Sequence, residues 1–371
     1  MLRTSFQSQK EVLSIRNLNV RFHTYAGDVK ALDGVTLSVR NGEILGLVGE
    51  SGCGKSVTSL AIAGLLPQNA EVVSGEVVLG GTDLLKMKKT DMRLARLRDI
   101  AMVFQDPMTY LNPVLPVGLQ ITEILTDDPR LFVQALIDNR LGQLHQGSLG
   151  KVEEQERKRL ESQLNEGRLS KQELNRLAKA YATSMLKLVR LPEPERVFKM
   201  YPFELSGGMR QRAMIAMALV RRPKLILADE ISTALDVTVQ AQILKLLTEL
   251  KEKIDTSVIL ITHDLAVVAE VCDRVAVMYA GNIIEVAEVE ELFRNPLHPY
   301  TKGLLGSIPN PDAAGQELKS IKGSVPDLIY PPNGCRFHPR CPEKFDNCSK
   351  QKPRLLEVNP GHFVSCFIFG G

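Results

Sequence analysis

The chain contains no tryptophan, and aromatic residues make up only 5% of it. Nowhere do eighteen apolar residues run consecutively, so no segment reads as a membrane-spanning helix. The opening Met-Leu-Arg-Thr-Ser-Phe-Gln-Ser-Gln-Lys lacks the apolar core of a secretory signal. A strong charge of either sign is missing too: 46 basic residues stand against 43 acidic ones, for a net charge of +3. That excess is too slight to argue for a nucleic-acid partner. These absences lead us to expect a cytoplasmic protein whose membrane role, if any, requires other subunits. Cysteine is scarce over most of the chain, where Cys53 and Cys272 read as small buried residues. The other four of the six crowd into the last tenth. A length of 371 residues exceeds one ordinary domain but fits a large α/β domain with additions.

What is present starts with Gly49-Glu-Ser-Gly-Cys-Gly-Lys55-Ser56. It follows the apolar run 43–48, short enough for a buried strand. Glycines at 49, 52 and 54 let the backbone fold tightly, so successive N–H groups can point at phosphate oxygens. Lys55 would reach the β- and γ-phosphates, and Ser56 would hold Mg²⁺. Residues 56–66 can start a helix whose N-terminus favours the anion. Gly49, Glu50, Ser51, Gly52, Cys53, Gly54, Lys55, Ser56 and Val57 are therefore the candidate ATP-binding residues. Cys53 reads as a small filler rather than a redox thiol. Further on, Lys224-Leu-Ile-Leu-Ala-Asp-Glu230 reads as a second buried strand, ending in two carboxylates. Asp229 is expected in the Mg²⁺ shell and Glu230 at the attacking water. A solvent-facing acidic pair is the bland alternative. A third strand, 257–262, ends at His263.

In this order the motifs make the chain resemble an ATP-binding subunit of an ABC transporter, over about residues 11–345. The phosphate loop is followed by Gln105 in Met-Val-Phe-Gln-Asp-Pro (the Q-loop), then Leu205-Ser-Gly-Gly-Met-Arg-Gln-Arg212 (the signature). Asp229-Glu230, Thr233-Ala-Leu-Asp236 (the D-loop) and His263 complete the series. The resemblance implies an α/β fold: a P-loop NTPase core of the ABC ATPase type, with an antiparallel β-subdomain, a helical signature subdomain and a Cys-containing C-terminal extension. It implies two subunits packed head to tail, the partner being a second, paralogous ATPase. ATP on one loop is capped by Leu205, Ser206, Gly207, Gly208 and Gln211 of the other subunit. Glu230, His263 and Gln105 become the catalytic set, with His263 at the γ-phosphate. Ser56, Gln105 and Asp229 become the Mg²⁺ ligands, and Asp236 the D-loop residue. Tyr25 is the candidate for stacking on adenine, with Phe22 and His23 as rivals. The family commonly has Pro after the catalytic Glu; here Ile231 stands there.

Residues 11–40 and 75–83 alternate apolar and polar, as antiparallel strands do. We expect an ATPase domain over 11–290, its helical subdomain over about 107–220, and a C-terminal extension over 291–371. Within the subdomain a charged helical insertion covers about 127–180. Ser170-Lys-Gln-Glu173 is a capping box, after which Leu174, Leu177, Tyr181, Met185 and Leu188 fall on one face. Two helices broken near Gly167 follow, the first largely solvated. The insertion is either tolerated surface or a partner-binding arm.

Asn295-Pro-Leu-His-Pro-Tyr-Thr-Lys-Gly-Leu-Leu305 and Gly334-Cys-Arg-Phe-His-Pro-Arg-Cys-Pro342 resemble the ATPases of oligopeptide and dipeptide importers. That resemblance implies peptide import, two membrane permeases, an extracytoplasmic solute-binding protein, and a peripheral place on the cytoplasmic membrane face. Nickel, glutathione and antimicrobial peptides are the alternative cargoes. A soluble ABC protein of translation or repair is the alternative of another class, although such proteins carry two cassettes or a long insertion. Cys335, Cys341, Cys348 and Cys366 are separated by gaps of five, six and seventeen residues. Four thiols without a Cys-x₂-Cys pair suit a 4Fe–4S cluster better than a zinc ribbon. Zinc, with His338 or His362 assisting, and free thiols or a disulfide remain open.

Overall fold

The apolar runs become strands. The structure, a computed structural model, describes residues 10–104, 110–137, 154–166, 168–231, 237–254, 256–307 and 321–370. In chain order the strands are β1 (Glu11–Thr24), β2 (Gly27–Arg40), β3 (Ile44–Val48), β4 (Ala70–Leu79), β5 (Thr82–Asp83) and β6 (Ile100–Val103). β7 (Leu225–Asp229), β8 (Ser257–Ile261), β9 (Arg274–Tyr279), β10 (Asn282–Glu288), β11 (Leu356–Asn359) and β12 (His362–Val364) follow. The chain divides into two compact units, residues 1–92 with 257–371, and residues 93–256.

In the first unit an antiparallel sheet runs in the order β2-β1-β4-β5. The β1–β2 hairpin is in register from Glu11 opposite Arg40 to Thr24 opposite Gly27. The alternation along β1 buries Leu13, Ile15, Leu18 and Val20. It slips between Ile15 and Leu18, where Asn17 takes φ +48°. The extra residue at this bulge returns Leu18 to the buried face. A second set of strands is ordered β11-β12-β10-β9-β3-β8. β3 pairs in parallel with both β8 and β9, and all five of its residues are buried. A strand covered on both faces reads as a continuous apolar run, which is the signal that residues 43–48 gave. Its core reaches into the C-terminal extension through Val48, Val277, Tyr279, Tyr300 and Phe337.

In the second unit β6 and β7 pair in parallel, Ile100 opposite Leu225 and Val103 opposite Ala228. The helix Gly207–Leu219 packs against β6. The two helices expected on either side of residue 167 are Glu154–Asn165 and Lys171–Leu188. Ser170 caps the second, its hydroxyl accepting from the Glu173 N–H at 3.2 Å. Leu174, Tyr181 and Met185 are buried on that helix, and Leu177 and Leu188 half-buried. On the first helix Leu160 is buried and Arg159 reaches out to Glu173 at 2.7 Å. Among the described residues no helix is long and apolar enough to cross a membrane.

Candidate functional site

The phosphate loop leaves the C-terminal end of β3. Gly49 takes φ +153°, and a Cβ there would sit 2.1 Å from the Met278 carbonyl oxygen. Gly54 takes φ +107° against Leu32 and Ala31. Only glycine fits both demands. The Gly281 N–H donates to the Cys53 carbonyl at 2.7 Å, fixing the loop's middle to the β9–β10 turn. The Cys53 side chain is buried, and burial raises its thiol pKa, as suits a filler rather than a reactive thiolate. Lys55 opens the helix Lys55–Ala63, and its ammonium donates to the carbonyls of Gly49 at 2.7 Å and Glu50 at 3.0 Å. Gly52, Ser51 and Ser56 are exposed, with Val57 half-buried on the first turn.

Register brings His263 to the same edge. Leu47 lies opposite Ile261, so the loop and His263 both emerge two residues beyond paired positions of adjacent parallel strands. Ligands of open α/β sheets bind at this carboxyl edge. His263 is exposed, and the following Asp264 caps the next helix, accepting from Ala266 N–H at 2.9 Å. Tyr25 is fully exposed at the tip of the β1–β2 hairpin. Of its rivals, Phe22 is half-buried, and His23 is engaged by Asp28 at 2.9 Å and Glu71 at 3.2 Å.

The second unit carries the acidic and signature residues. Asp229 ends β7, and Glu230 follows at φ +48°, a left-handed conformation that costs a carboxylate residue about 1–3 kcal/mol. Ile231, the departure from the common Pro, is buried. Ser206 caps the signature helix Gly207–Leu219, accepting from Met209 N–H at 3.3 Å. Ser206 and Gly207 are exposed and Gly208 half-buried against Val239. Leu205 is buried. Gln211 is 1% exposed, inside the unit, and among the described residues its amide nitrogen has no hydrogen-bond partner. Gln105 and Asp236 lie outside the described residues.

In the extension all four cysteines, Cys335, Cys341, Cys348 and Cys366, line one pocket together with His298, His338 and Phe337. None is in a disulfide. Gly334, at φ +70°, lets the chain turn back so that Cys335 N–H donates to the Cys348 carbonyl at 2.8 Å. Burial and the neighbouring thiols push the Cys335 pKa up to about 11. Among the described residues, no three or more His, Cys, Asp or Glu side chains are grouped to hold a metal ion. The donor set thus fits a thiolate-bound centre in kind and number and shares one pocket, without standing as a ligand shell. His362 is elsewhere: its Nε2 meets Glu285 at 2.8 Å.

Sequence reasoning missed two groups that touch the loop. Tyr300 accepts from the Glu50 N–H at 3.0 Å, and Arg340 pairs with the Glu50 carboxylate at 2.7 Å. It also missed Glu285, fully buried, which accepts from the Leu297 and His298 N–H groups at 2.7 and 2.9 Å. A glutamate inside the apolar strand Asn282–Glu288 was the available signal.

A family model for the ABC transporter matches residues 32–233, and one for the oligopeptide/dipeptide transporter C-terminal region matches 284–348. Similar proteins include the dipeptide transport ATP-binding protein DppD of Bacillus subtilis strain 168, 45% identical over 97% of this chain and 95% of that one. The oligopeptide transport ATP-binding protein OppD of Escherichia coli strain K12 is 42% identical over 97% and 94%. Among solved structures, the dimer of MJ0796, a bacterial ABC transporter cassette, matches with a TM-score of 0.54 and 25% identity, covering 75% of this chain and 98% of that one. A post-hydrolysis dimer of MJ0796 with ADP and Pi matches equally well.

Proposed function

We propose that this chain, which belongs to the ABC transporter family and carries the oligopeptide/dipeptide C-terminal region, is the ATP-hydrolysing subunit of a peptide importer. The observation that carries the peptide reading is the 45% identity to a dipeptide transport ATP-binding protein across cassette and extension alike. No observation favours nickel, glutathione or antimicrobial peptides, or a soluble protein of another class. The chain works at the cytoplasmic membrane face with two permeases and, through them, an extracytoplasmic binding protein.

The loop glycines hold backbone N–H groups toward the phosphates, and Lys55 exchanges its two carbonyl partners for phosphate oxygens. Ser56, Gln105 and Asp229 would hold Mg²⁺, which would supply charge neutralisation at the phosphates. Glu230 orients and polarises the attacking water, His263 contacts the γ-phosphate and Tyr25 stacks on adenine. Ser206, Gly207 and Gly208 present a helix N-terminus, suited to the phosphate of a partner's ATP. The partner is a second, paralogous ATPase, and Asp236 sits in the D-loop between them. Closure of the pair moves the helical units against the permeases.

If the signature serves the partner's site, one chain cannot complete its own. Dilute, demonstrably monomeric protein should therefore hydrolyse ATP at a small fraction of the assembled rate; steady turnover by monomer overturns the shared site.

Cys335, Cys341, Cys348 and Cys366 are proposed to hold a 4Fe–4S cluster, with zinc as the alternative. A centre of this kind supplies folding free energy to a short, loop-rich segment. Anaerobically purified protein should be brown with about four irons per chain. Colourless protein with stoichiometric zinc favours zinc, and metal-free, folded protein removes the proposal.

A further inference from the structure

Among the described residues, the extension's hydrogen bonds to the phosphate loop converge on Glu50. The Arg340 guanidinium forks onto its carboxylate, Nη1 to Oε2 at 2.7 Å and Nη2 to Oε1 at 3.1 Å. The remaining donors are used by the Lys322 carbonyl at 3.0 Å, the Gly323 carbonyl at 3.1 Å and the Tyr279 hydroxyl at 3.4 Å. The Arg340 side chain is 6% exposed and lies over the Tyr279 ring at 5.7 Å. On the loop's backbone side, the Tyr300 hydroxyl takes the Glu50 N–H. Tyr279, Tyr300 and Phe337 pack on one another with ring centroids 4.7 to 5.4 Å apart, which fixes both gripping groups. A bidentate fork of this kind is short, directional and strong.

The pairing has an electrostatic consequence. Glu50 puts a carboxylate on the loop that must receive a triphosphate. Like charges repel, more strongly where the surroundings are partly buried. Arg340 cancels that charge from behind and locks the side chain in place. We infer that Arg340 is a positioning residue of the nucleotide site, supplied by the C-terminal extension, that neutralises Glu50 and thereby sets the loop's affinity for ATP. The extension is then part of the ATP site rather than an appendage to it.

This inference rests on the reading of residues 49–56 as the ATP site, and the experiment separates the two. ATP binding with Mg²⁺ is measured by titration calorimetry on the full chain, at low and moderate salt. Lys55→Ala should abolish binding; retained affinity there removes the ATP-site reading itself. With that control in hand, Arg340→Gln should weaken binding about tenfold, and less as salt screens the exposed carboxylate. Adding Glu50→Gln to Arg340→Gln should recover most of the loss, because the uncompensated charge is gone. Wild-type affinity in Arg340→Gln overturns the inference, as does a double variant weaker than the single. If Arg340→Gln fails to fold, Arg340→Lys decides: it keeps the charge without the fork, and should bind ATP within about threefold of wild type. A tenfold loss in folded Arg340→Lys contradicts charge balance as the role.

Discussion

The phosphate loop and the C-terminal extension sit together in one unit, yet they take their shapes from different sources. The loop is shaped by its own residues: Gly49 and Gly54 adopt backbone angles and close approaches that leave no alternative, and Lys55 folds back on the loop's carbonyls. The extension has little regular structure between residues 321 and 355 and is held by charged side chains reaching far along the sequence. Arg336 binds the Ala280 and Lys30 carbonyls and faces Asp33 at 3.5 Å. Lys352 pairs with the same Asp33 at 2.9 Å. Glu285 gathers Leu297, His298 and His362. A region shaped locally announces itself as a motif. A region shaped by distant charges is invisible until it folds, and its loss should act first on stability.

The largest effect should fall on the chemistry alone. Glu230→Gln in the complete transporter should lower ATP turnover at least about a hundredfold, the ordinary contribution of a general base, while ATP binding and the unfolding midpoint hold. Near-normal hydrolysis would remove Glu230 from the role. The converse change is Glu285→Ala. It leaves His362 and two backbone N–H groups buried without their acceptor, so unfolding free energy should drop by about 3–5 kcal/mol. A drop below about 1 kcal/mol would show that the extension does not depend on its buried charges.

The smallest effect is a pH dependence where β10 meets the extension. Burial raises the Glu285 carboxyl, but the His362 imidazole and the Leu297 and His298 backbone N–H donors outweigh it and hold the pKa below its ordinary 4.5. Burial lowers the His362 imidazole, but Glu285 and Glu291 outweigh it and lift it above 6.5. A depressed carboxylate contributes stability above its ordinary range and loses it as pH falls through the folded value. A raised histidine contributes below 6.5 and loses it as pH rises through the folded value. The pair therefore stabilises most between about pH 4.5 and 6.5. In Glu285→Gln the loss of stability as pH falls below this window and as it rises above it should largely disappear. Parallel profiles for the two proteins would sink the account of the pair.

Legibility followed the same divide. The buried strands were readable because parallel strands covered on both faces leave uninterrupted apolar runs, as in Ile44–Val48. The helix at 171 was readable because its cap, Ser170, is a local device. The bulge at Asn17 was not, since it is a two-against-one pairing with a distant strand. Nor were Glu43–Arg274, buried at 3.1 Å across 231 positions, or Arg340–Glu50 across 290. An ion pair leaves no periodicity, and its partners can lie anywhere in the chain. The cysteines stood out by type and crowding, and the arginines between them did not.

The most direct measurement of the whole account is ATP hydrolysis by the reconstituted transporter as a function of added peptide. Peptide presented by the solute-binding protein should raise turnover, and Lys55→Ala in this chain should abolish the response. Hydrolysis indifferent to peptide but stimulated by nickel or glutathione would contradict the peptide reading, and a response surviving Lys55→Ala would contradict the role of the phosphate loop.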